Sequence, residues 1–219
     1  MGSGDIFILA LALISVVLSG YALWRDETLN WVFAVPRLPA PDPGEAPLFE
    51  TLFDYRPKKG VAHSPAIVKH GETLSTLWFE GSSEAQPDIE IRRAVLETGP
   101  EGGCAGDPET FLTSAALAKA FAPGQLVVTL GNTIQNDAIE SSLYATVVSV
   151  GGWAMASIAE VRMDGVKPVR VRKLDLSPFL NRSFLVRSPM VAYADGSHAL
   201  PAYFEMGTTY GALVRLDAE

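Results

Sequence analysis

The chain has 219 residues, of which 48% are hydrophobic and 19% are charged. This length and apolar content leave room for a membrane anchor and one domain with a buried core, and they exclude a largely disordered chain. The formal net charge is −8, and no block of lysine and arginine interrupts the sequence. Nucleic acid is therefore excluded as a partner, because its phosphates must be neutralised by basic side chains. Cys104 is the single cysteine, so no intramolecular disulfide can form.

The N-terminal stretch IFILALALISVVLSGYALW, residues 6–24, carries no charge. Its length suits an α-helix crossing a hydrocarbon core of about 30 Å, which predicts a membrane segment or a signal. A cleavable signal peptide would begin with Lys or Arg and end in a small-x-small site, whereas Asp5 precedes this stretch and Tyr21 and Trp24 end it. The pattern favours an uncleaved anchor helix, and we assign residues 1–33 to the anchor.

Residues 34–47, AVPRLPAPDPGEAP, contain five prolines. This is too many for a helix or a central strand and predicts an extended, semi-rigid spacer. The spacer would hold a domain formed by residues 48–219 away from the membrane surface.

Beyond the spacer, short β-type runs alternate with turns rich in Gly, Asp, Asn and Pro, which predicts a mainly β domain. The expected strands are 48–53, 66–69, 74–79, 89–95, 126–130, 143–150, 153–161, 169–174, 190–193, 198–204 and 211–216. One helix is expected over residues 108–121, with Pro108 near its start and Pro123 just after its end.

A strand–turn–strand unit recurs about every sixty residues, as AIVKHGETLSTLWF, TIQNDAIESSLYAT and MVAYADGSHALPAYF. Each copy passes through an HG, DA or DG turn and continues into an apolar strand with aromatic residues near its end. Recurrence of such a unit is typical of the blades of a β-propeller.

Three motifs carry a resemblance to a known family: HSPAI followed by LWFEGSSEAQPDIEI, the GN of LGNTI, and SPFLNRSFLVRSPMVAYADGSHALPAYFE. In these stretches the chain resembles the BNR-repeat-like sialidase superfamily, in particular its predicted-neuraminidase branch. The resemblance implies a six-bladed β-propeller with an active site on its axis. About 170 residues would form three to four blades, so we expect an incomplete propeller, about half of the ring, behind one N-terminal transmembrane helix.

The resemblance also implies where the acid/base carboxylate lies, namely in the loop after the first hairpin. That loop is GSSEAQPD, which makes Glu84 and Asp88 the catalytic candidates. Asp88, which follows Pro87, has the alternative role of capping the turn. His63 takes the place where sialidases have the first of three arginines that grip the sugar carboxylate, and imidazole lacks the bidentate grip of a guanidinium.

Four further residues are expected to contact substrate. Tyr203 and Glu205 are two apart on a predicted strand and so point to one face; alternatively, they are a core tyrosine and a solvated glutamate. Arg187 is the candidate for binding an anion, and Asn132 is a candidate hydrogen-bonding residue in a loop. The three histidines do not have metal-binding spacing, so we expect no metal and no cofactor.

Two functions follow as hypotheses. The first is a membrane-anchored sialidase-like protein that binds or hydrolyses glycans of the cell envelope or outside the cell. The alternative is a non-catalytic propeller fragment, an accessory or interaction subunit of a membrane complex in which a second polypeptide completes the ring. Either way we expect the soluble part to be periplasmic or extracellular, although Arg25 and Arg37, taken alone, would place it in the cytoplasm.

Overall fold

The N-terminal apolar stretch forms one helix, α1, Ser3–Arg25. Its 23 residues span roughly 34 Å at 1.5 Å per residue. Within it Gly4–Trp24 is long and apolar enough to cross a membrane, as an anchor or a signal sequence would be. Large apolar side chains are exposed along its length, including Phe7, Leu13 and Leu23. An exposed surface of this kind is suited to a hydrocarbon environment.

The structure is a computed structural model that describes residues 2–25, 31–36, 44, 46, 49, 51–57, 60–97, 103–176 and 181–216. It divides into two compact units, Met1–Val32 and Phe33–Glu219. Most of the predicted spacer, residues 34–47, lies outside the described residues. At its start, the Ala34 N–H donates to the Ala192 carbonyl at 2.8 Å, and the Phe33 ring stacks on Tyr193 with centroids 4.9 Å apart.

The second unit begins with a five-stranded antiparallel sheet. Its strands are β1 Val61–His70, β2 Thr73–Gly81, β3 Glu90–Glu97, β4 Gly103–Cys104 and β5 Glu109–Thr113. They lie in the order β1-β2-β3, and β4 and β5 both pair with β3. Residues 51–57 lie against this sheet, where Phe53, Tyr55 and Trp78 pack their rings together.

The second sheet is a regular antiparallel meander. It consists of β6 Thr129–Gln135, β7 Ser142–Val148, β8 Ala156–Asp164 and β9 Lys167–Lys173, hydrogen-bonded in sequence order. A short 3-10 helix, Gly152–Met155, connects β7 to β8.

The third sheet has an interrupted first strand. Its strands are β10 Phe184–Val186, β11 Val191–Ala192, β12 His198–Phe204 and β13 Tyr210–Leu216. Both β10 and β11 pair with β12, at opposite ends of it, while β13 pairs along the whole of β12. Because His198 has partners in both β11 and β13, these two strands lie on opposite sides of β12.

The three sheets pack face to face in chain order. One apolar cluster joins the first sheet, through Leu77 and Ile91, to Leu143 and Val161 of the second. Another joins the second sheet, through Tyr144 and Ile158, to Val186 and Leu200 of the third. Alternate residues of β8 therefore face different neighbours, as strand geometry requires.

The mainly β prediction is confirmed, and so are the three hairpins. The repeated units correspond to the pairs β1–β2, β6–β7 and β11–β12. No closed barrel or ring is seen among the residues that the structure describes, so the six-bladed propeller and its blade count stay expectations.

The helix predicted over residues 108–121 is wrong in its first half. Residues Glu109–Thr113 form strand β5, and only Ser114–Ala120 is helical, as α2. The pairing of β5 with β3, Glu90–Glu97, overrides the local helical pattern, and such a long-range partner is not visible in a local window. The Thr113 hydroxyl then caps α2 by accepting the Ala116 N–H at 3.2 Å.

Candidate functional site

The first strand of each sheet is interrupted at a corresponding place. In β1 the pairing register shifts between His63 and Ala66, and in β6 it shifts between Leu130 and Thr133. In the third sheet the gap between β10 and β11 covers residues 187–190. The interruptions fall on the HSP, GN and RSP motifs of the sequence. Bulges of this kind re-aim side chains next to functional sites.

The interruptions lie toward one end of the stack. The first strands of the first two sheets, β1 and β6, run in the same direction. The side chain of Gln135, at the end of β6, bonds both backbone groups of Lys69, near the end of β1, so the hairpin turns that follow these two strands lie close together. Likewise Val186, at the gap in the third sheet, donates its N–H to Thr146, which lies opposite the bulge of β6. His63, Asn132 and Arg187 are therefore carried at the same end, with the β2–β3 and β12–β13 loops.

Glu84 and His63, which the sequence predicts as separate site residues, form a pair at this end. Glu84 is in the loop between β2 and β3, and its Oε1 lies 3.6 Å from His63 Nε2, within ion-pair range when the imidazole is protonated. Both side chains are about half exposed, at 52% and 49%. The His63 ring stacks on Phe79 with centroids 5.6 Å apart, which holds the imidazole in place.

Backbone strain accompanies both members of this pair. Ser64, directly after His63, has φ of 57°, and Ala85, directly after Glu84, has φ of 58°. Residues other than glycine rarely adopt a positive φ, and such strain of about 1–3 kcal/mol persists only where the surroundings enforce it. The two candidate side chains are thus each presented from a locally strained backbone.

Asp88 occupies the same loop but has different contacts. Its Oδ2 accepts the Ser82 N–H at 3.0 Å, and its Oδ1 accepts the Ser82 hydroxyl at 2.9 Å. These bonds close the loop from one side to the other and hold the segment that carries Glu84. The loop-capping alternative thus has hydrogen bonds to support it, while a catalytic role for Asp88 stays a prediction.

Tyr203, Glu205 and Arg187 line one cavity of about 490 Å³ in the third sheet. The pKa of Tyr203 is raised above 10.0, first by burial and then by the negative charge of Glu205, against an opposing effect of Arg187. Glu84 also raises this pKa, as the weakest of the four influences. The structure thus places Arg187, Tyr203 and Glu205 in one cavity and, separately, Glu84 beside His63.

Asn132 is placed differently from these five. It lies in the bulge of β6 beside Gly131. A Cβ atom added to Gly131 would lie 3.1 Å from Trp153 and 3.2 Å from Thr146. Glycine is needed here because the indole packs onto the backbone. The described contacts do not join Asn132 to the group around Glu84 and Tyr203, so its role in binding stays a prediction.

Sequence reasoning missed an aromatic groove that also includes His63. The groove, of about 510 Å³, is lined by Phe53, Tyr55, Trp78, Pro65 and Ile67 among others. The Tyr55 hydroxyl and the Trp78 indole N–H both donate to Glu80. The alternation of Phe53 and Tyr55 was the available signal, but it does not say which sheet those rings cover.

Metal ligands do not cluster in the described part of the chain: no group of three or more His, Cys, Asp and Glu side chains there could hold a metal ion.

These features agree with a comparison against protein families. Residues 72–219 match the BNR repeat-like domain, and this match covers more than half of the chain. The chain belongs to the BNR repeat-like domain family, which is consistent with the sialidase-type superfamily that its motifs resemble. The matched residues include Glu84, Arg187, Tyr203 and Glu205, whereas His63 precedes them. Neither a curated protein nor a solved structure shows detectable similarity to the chain.

Proposed function

We propose that this is a membrane-anchored, sialidase-like protein that binds or hydrolyses glycans of the cell envelope or outside the cell. The observation that carries the proposal is the convergence of Glu84, Tyr203, Glu205 and Arg187 at one end of the stacked sheets. These residues come from loops and strands of two different sheets, and their meeting is not needed to form either sheet. Perturbed and strained groups that gather in a cleft are typical of functional sites.

We assign each of these residues a role from the chemistry of its side chain. Glu84 serves as the acid/base group, and the contacts of Asp88 with Ser82 support Glu84 over Asp88 for this role. Arg187 offers a permanent positive charge for a carboxylate on the glycan. Tyr203 and Glu205 contact the sugar from the other side of the cavity. Half of the Glu84 side chain is in water, and a bound glycan would exclude that water from the site.

The test uses full-length protein purified in non-ionic detergent and a panel of aryl glycosides that includes an aryl sialoside. Glu84→Gln is expected to lower kcat by about 100-fold or more, the usual contribution of a general acid. Glu72→Gln is the matched control, because Glu72 is an exposed residue of the β1–β2 turn, and it should leave turnover unchanged. Hydrolysis that is insensitive to both Glu84→Gln and Asp88→Asn contradicts the catalytic assignment.

A second candidate function is supported by exposed apolar side chains on the sheets. Ile67 of β1 and Tyr210 and Leu213 of β13 are 58%, 51% and 48% exposed. Open sheet faces of this kind favour coverage by another protein surface. In this alternative the chain is a non-catalytic accessory subunit, and a second polypeptide completes the ring. A purified chain that is monomeric by light scattering and hydrolyses glycosides would contradict it.

A further inference from the structure

A second charged cavity lies on β8 and the edge strand β9 of the second sheet. It shares no residue with the candidate glycan site. It is lined by Glu160 and Arg162 of β8 and by Arg170 and Arg172 of β9. Val161 and Val171, which alternate with these residues, belong to the core shared with the first sheet. The charged side chains therefore project from the opposite face of the sheet.

Glu160 is the buried carboxylate of this cavity, which we call the arginine cavity, and it holds two of the three arginines in place. Its side chain is only 4% exposed, and its Oε1 and Oε2 accept the Nε groups of Arg162 at 2.8 Å and Arg172 at 2.7 Å. The Ser142 hydroxyl donates to Oε1 at 3.3 Å. A buried carboxylate that holds two guanidinium groups by their Nε atoms fixes the planes of both groups.

The cavity holds more positive charge than its carboxylate can balance. One arginine would compensate Glu160, yet three line the cavity, which leaves a local excess of two positive charges on a chain whose net charge is −8. Arg162 and Arg170 are direct cross-strand partners in the β8–β9 pairing. Like charges placed opposite each other destabilise a sheet. Arg162 and Arg172 both pair with Glu160, whereas Arg170 has no ion pair among the described residues.

We propose that this cavity is a binding site for a doubly charged oxyanion, the phosphate group of a monoester. Guanidinium groups bind such oxygens in pairs, and two negative charges match the local excess. The volume, about 210 Å³, is below the about 300–1,000 Å³ of pockets that enclose a whole drug-sized ligand. The site therefore takes the charged group and leaves the rest of the molecule outside.

The test is calorimetric titration of full-length protein in non-ionic detergent, with chloride holding the ionic strength constant. Inorganic phosphate and glucose 6-phosphate are the two probes, and glucose 6-sulfate, whose ester group carries one negative charge, should bind more weakly than glucose 6-phosphate. Arg170→Gln is the decisive variant, because Arg170 does not hold Glu160, and it should weaken binding about tenfold through loss of a charge-assisted contact. Lys119→Gln removes one positive charge from an exposed position of α2 and should bind as the parent does.

The outcomes are separable. Binding of either phosphate probe that depends on Arg170 but not on Lys119 supports the site, and the tighter of the two tells a free anion from a phosphate ester. Absence of binding by both phosphate probes, equal binding by Arg170→Gln, or tighter binding of glucose 6-sulfate overturns the proposal. If Arg170→Gln lowers the melting temperature, Arg170→Lys decides instead, because lysine keeps the charge but loses the paired contact, and unchanged affinity then counts against the site.

Discussion

At the scale of single residues, Asp195 shows how a turn is held by charge. It lies in the β11–β12 turn, where its Oδ1 accepts the Ser197 hydroxyl at 2.6 Å and the Ser197 N–H at 3.0 Å, and its Oδ2 pairs with Arg215. The pKa of Asp195 is lowered below 3.8, first by the bonds from Ser197 and then by Arg215. The charged form is thus the one that the folded chain prefers.

A pH dependence of stability follows from this shift. Because the folded pKa is depressed, the contribution of Asp195 is complete above its unfolded value and is lost as pH falls through the folded value. Asp195→Asn should therefore be less stable than the parent at about pH 7, and the difference should shrink below about pH 4. Urea unfolding at both pH values measures this. Asp164→Asn, which removes an exposed carboxylate from another turn, is the control; a difference that is constant with pH would contradict the prediction.

At the scale of elements, side-chain amides join the sheets where no strand pairing does. Gln135 bonds the N–H and the carbonyl of Lys69, both at 2.7 Å, and so links the first and second sheets. Asn181 accepts the Ile158 N–H at 2.8 Å and donates to the carbonyls of Ile158 at 2.7 Å and Leu174 at 2.8 Å. Asn181 thereby attaches the chain entering the third sheet to the second one. Each side-chain amide thus makes hydrogen bonds to a backbone N–H and a backbone carbonyl, as a neighbouring strand would.

The two amides should differ in their contribution to stability. Asn181→Ala leaves two partly buried backbone groups, the Ile158 N–H and the Leu174 carbonyl, without a partner and should cost about 1–3 kcal/mol, while the Ile158 carbonyl keeps its bond from the Leu174 N–H. Gln135→Ala exposes its two Lys69 groups to water, because those bonds lie at the surface, and should cost less than about 1 kcal/mol. Urea unfolding of both variants provides the comparison. Equal losses, or a larger loss for Gln135→Ala, would show that burial does not decide the cost.

At the scale of the whole molecule, the two units differ in where their apolar side chains lie. The helix α1 exposes its apolar side chains, whereas the second unit buries apolar clusters between its three sheets. A β unit with a buried core and an apolar helix in one chain are the parts that a membrane-anchored protein needs. A signal sequence would have the same length and composition, so cleavage is the property that separates the two roles.

We expect the expressed chain to keep α1 and to leave membranes only with detergent. Intact mass of the protein from the membrane fraction is the measurement. The double variant Leu13→Arg with Ile14→Asp should shift the protein to the soluble fraction, because each charge at a helix centre costs about 2.5–3.5 kcal/mol of insertion. A parent chain that has lost α1 and is recovered as soluble protein would contradict anchoring.

The sequence by itself determined the mainly β class, the three hairpins, the apolar N-terminal helix and the family. These depend on local signals: alternation with period two, turn residues such as those in the HG and DG turns, and a run of uncharged residues. It also predicted Glu84, Arg187, Tyr203 and Glu205 as residues of interest, through motifs that resemble those of a known family. It could not say that they meet.

Only the tertiary structure decided what depends on partners far apart in sequence. Residues 109–113 form a strand because β3 lies beside them, and Arg187 shares a cavity with Tyr203 and Glu205 because the third sheet brings them together. The arginine cavity likewise depends on the register between β8 and β9, which places Arg170 opposite Arg162. A shift of one residue would turn these side chains to the other face. Local sequence determines most of the strands, whereas long-range pairing decides a strand such as β5, and packing determines which side chains face one another.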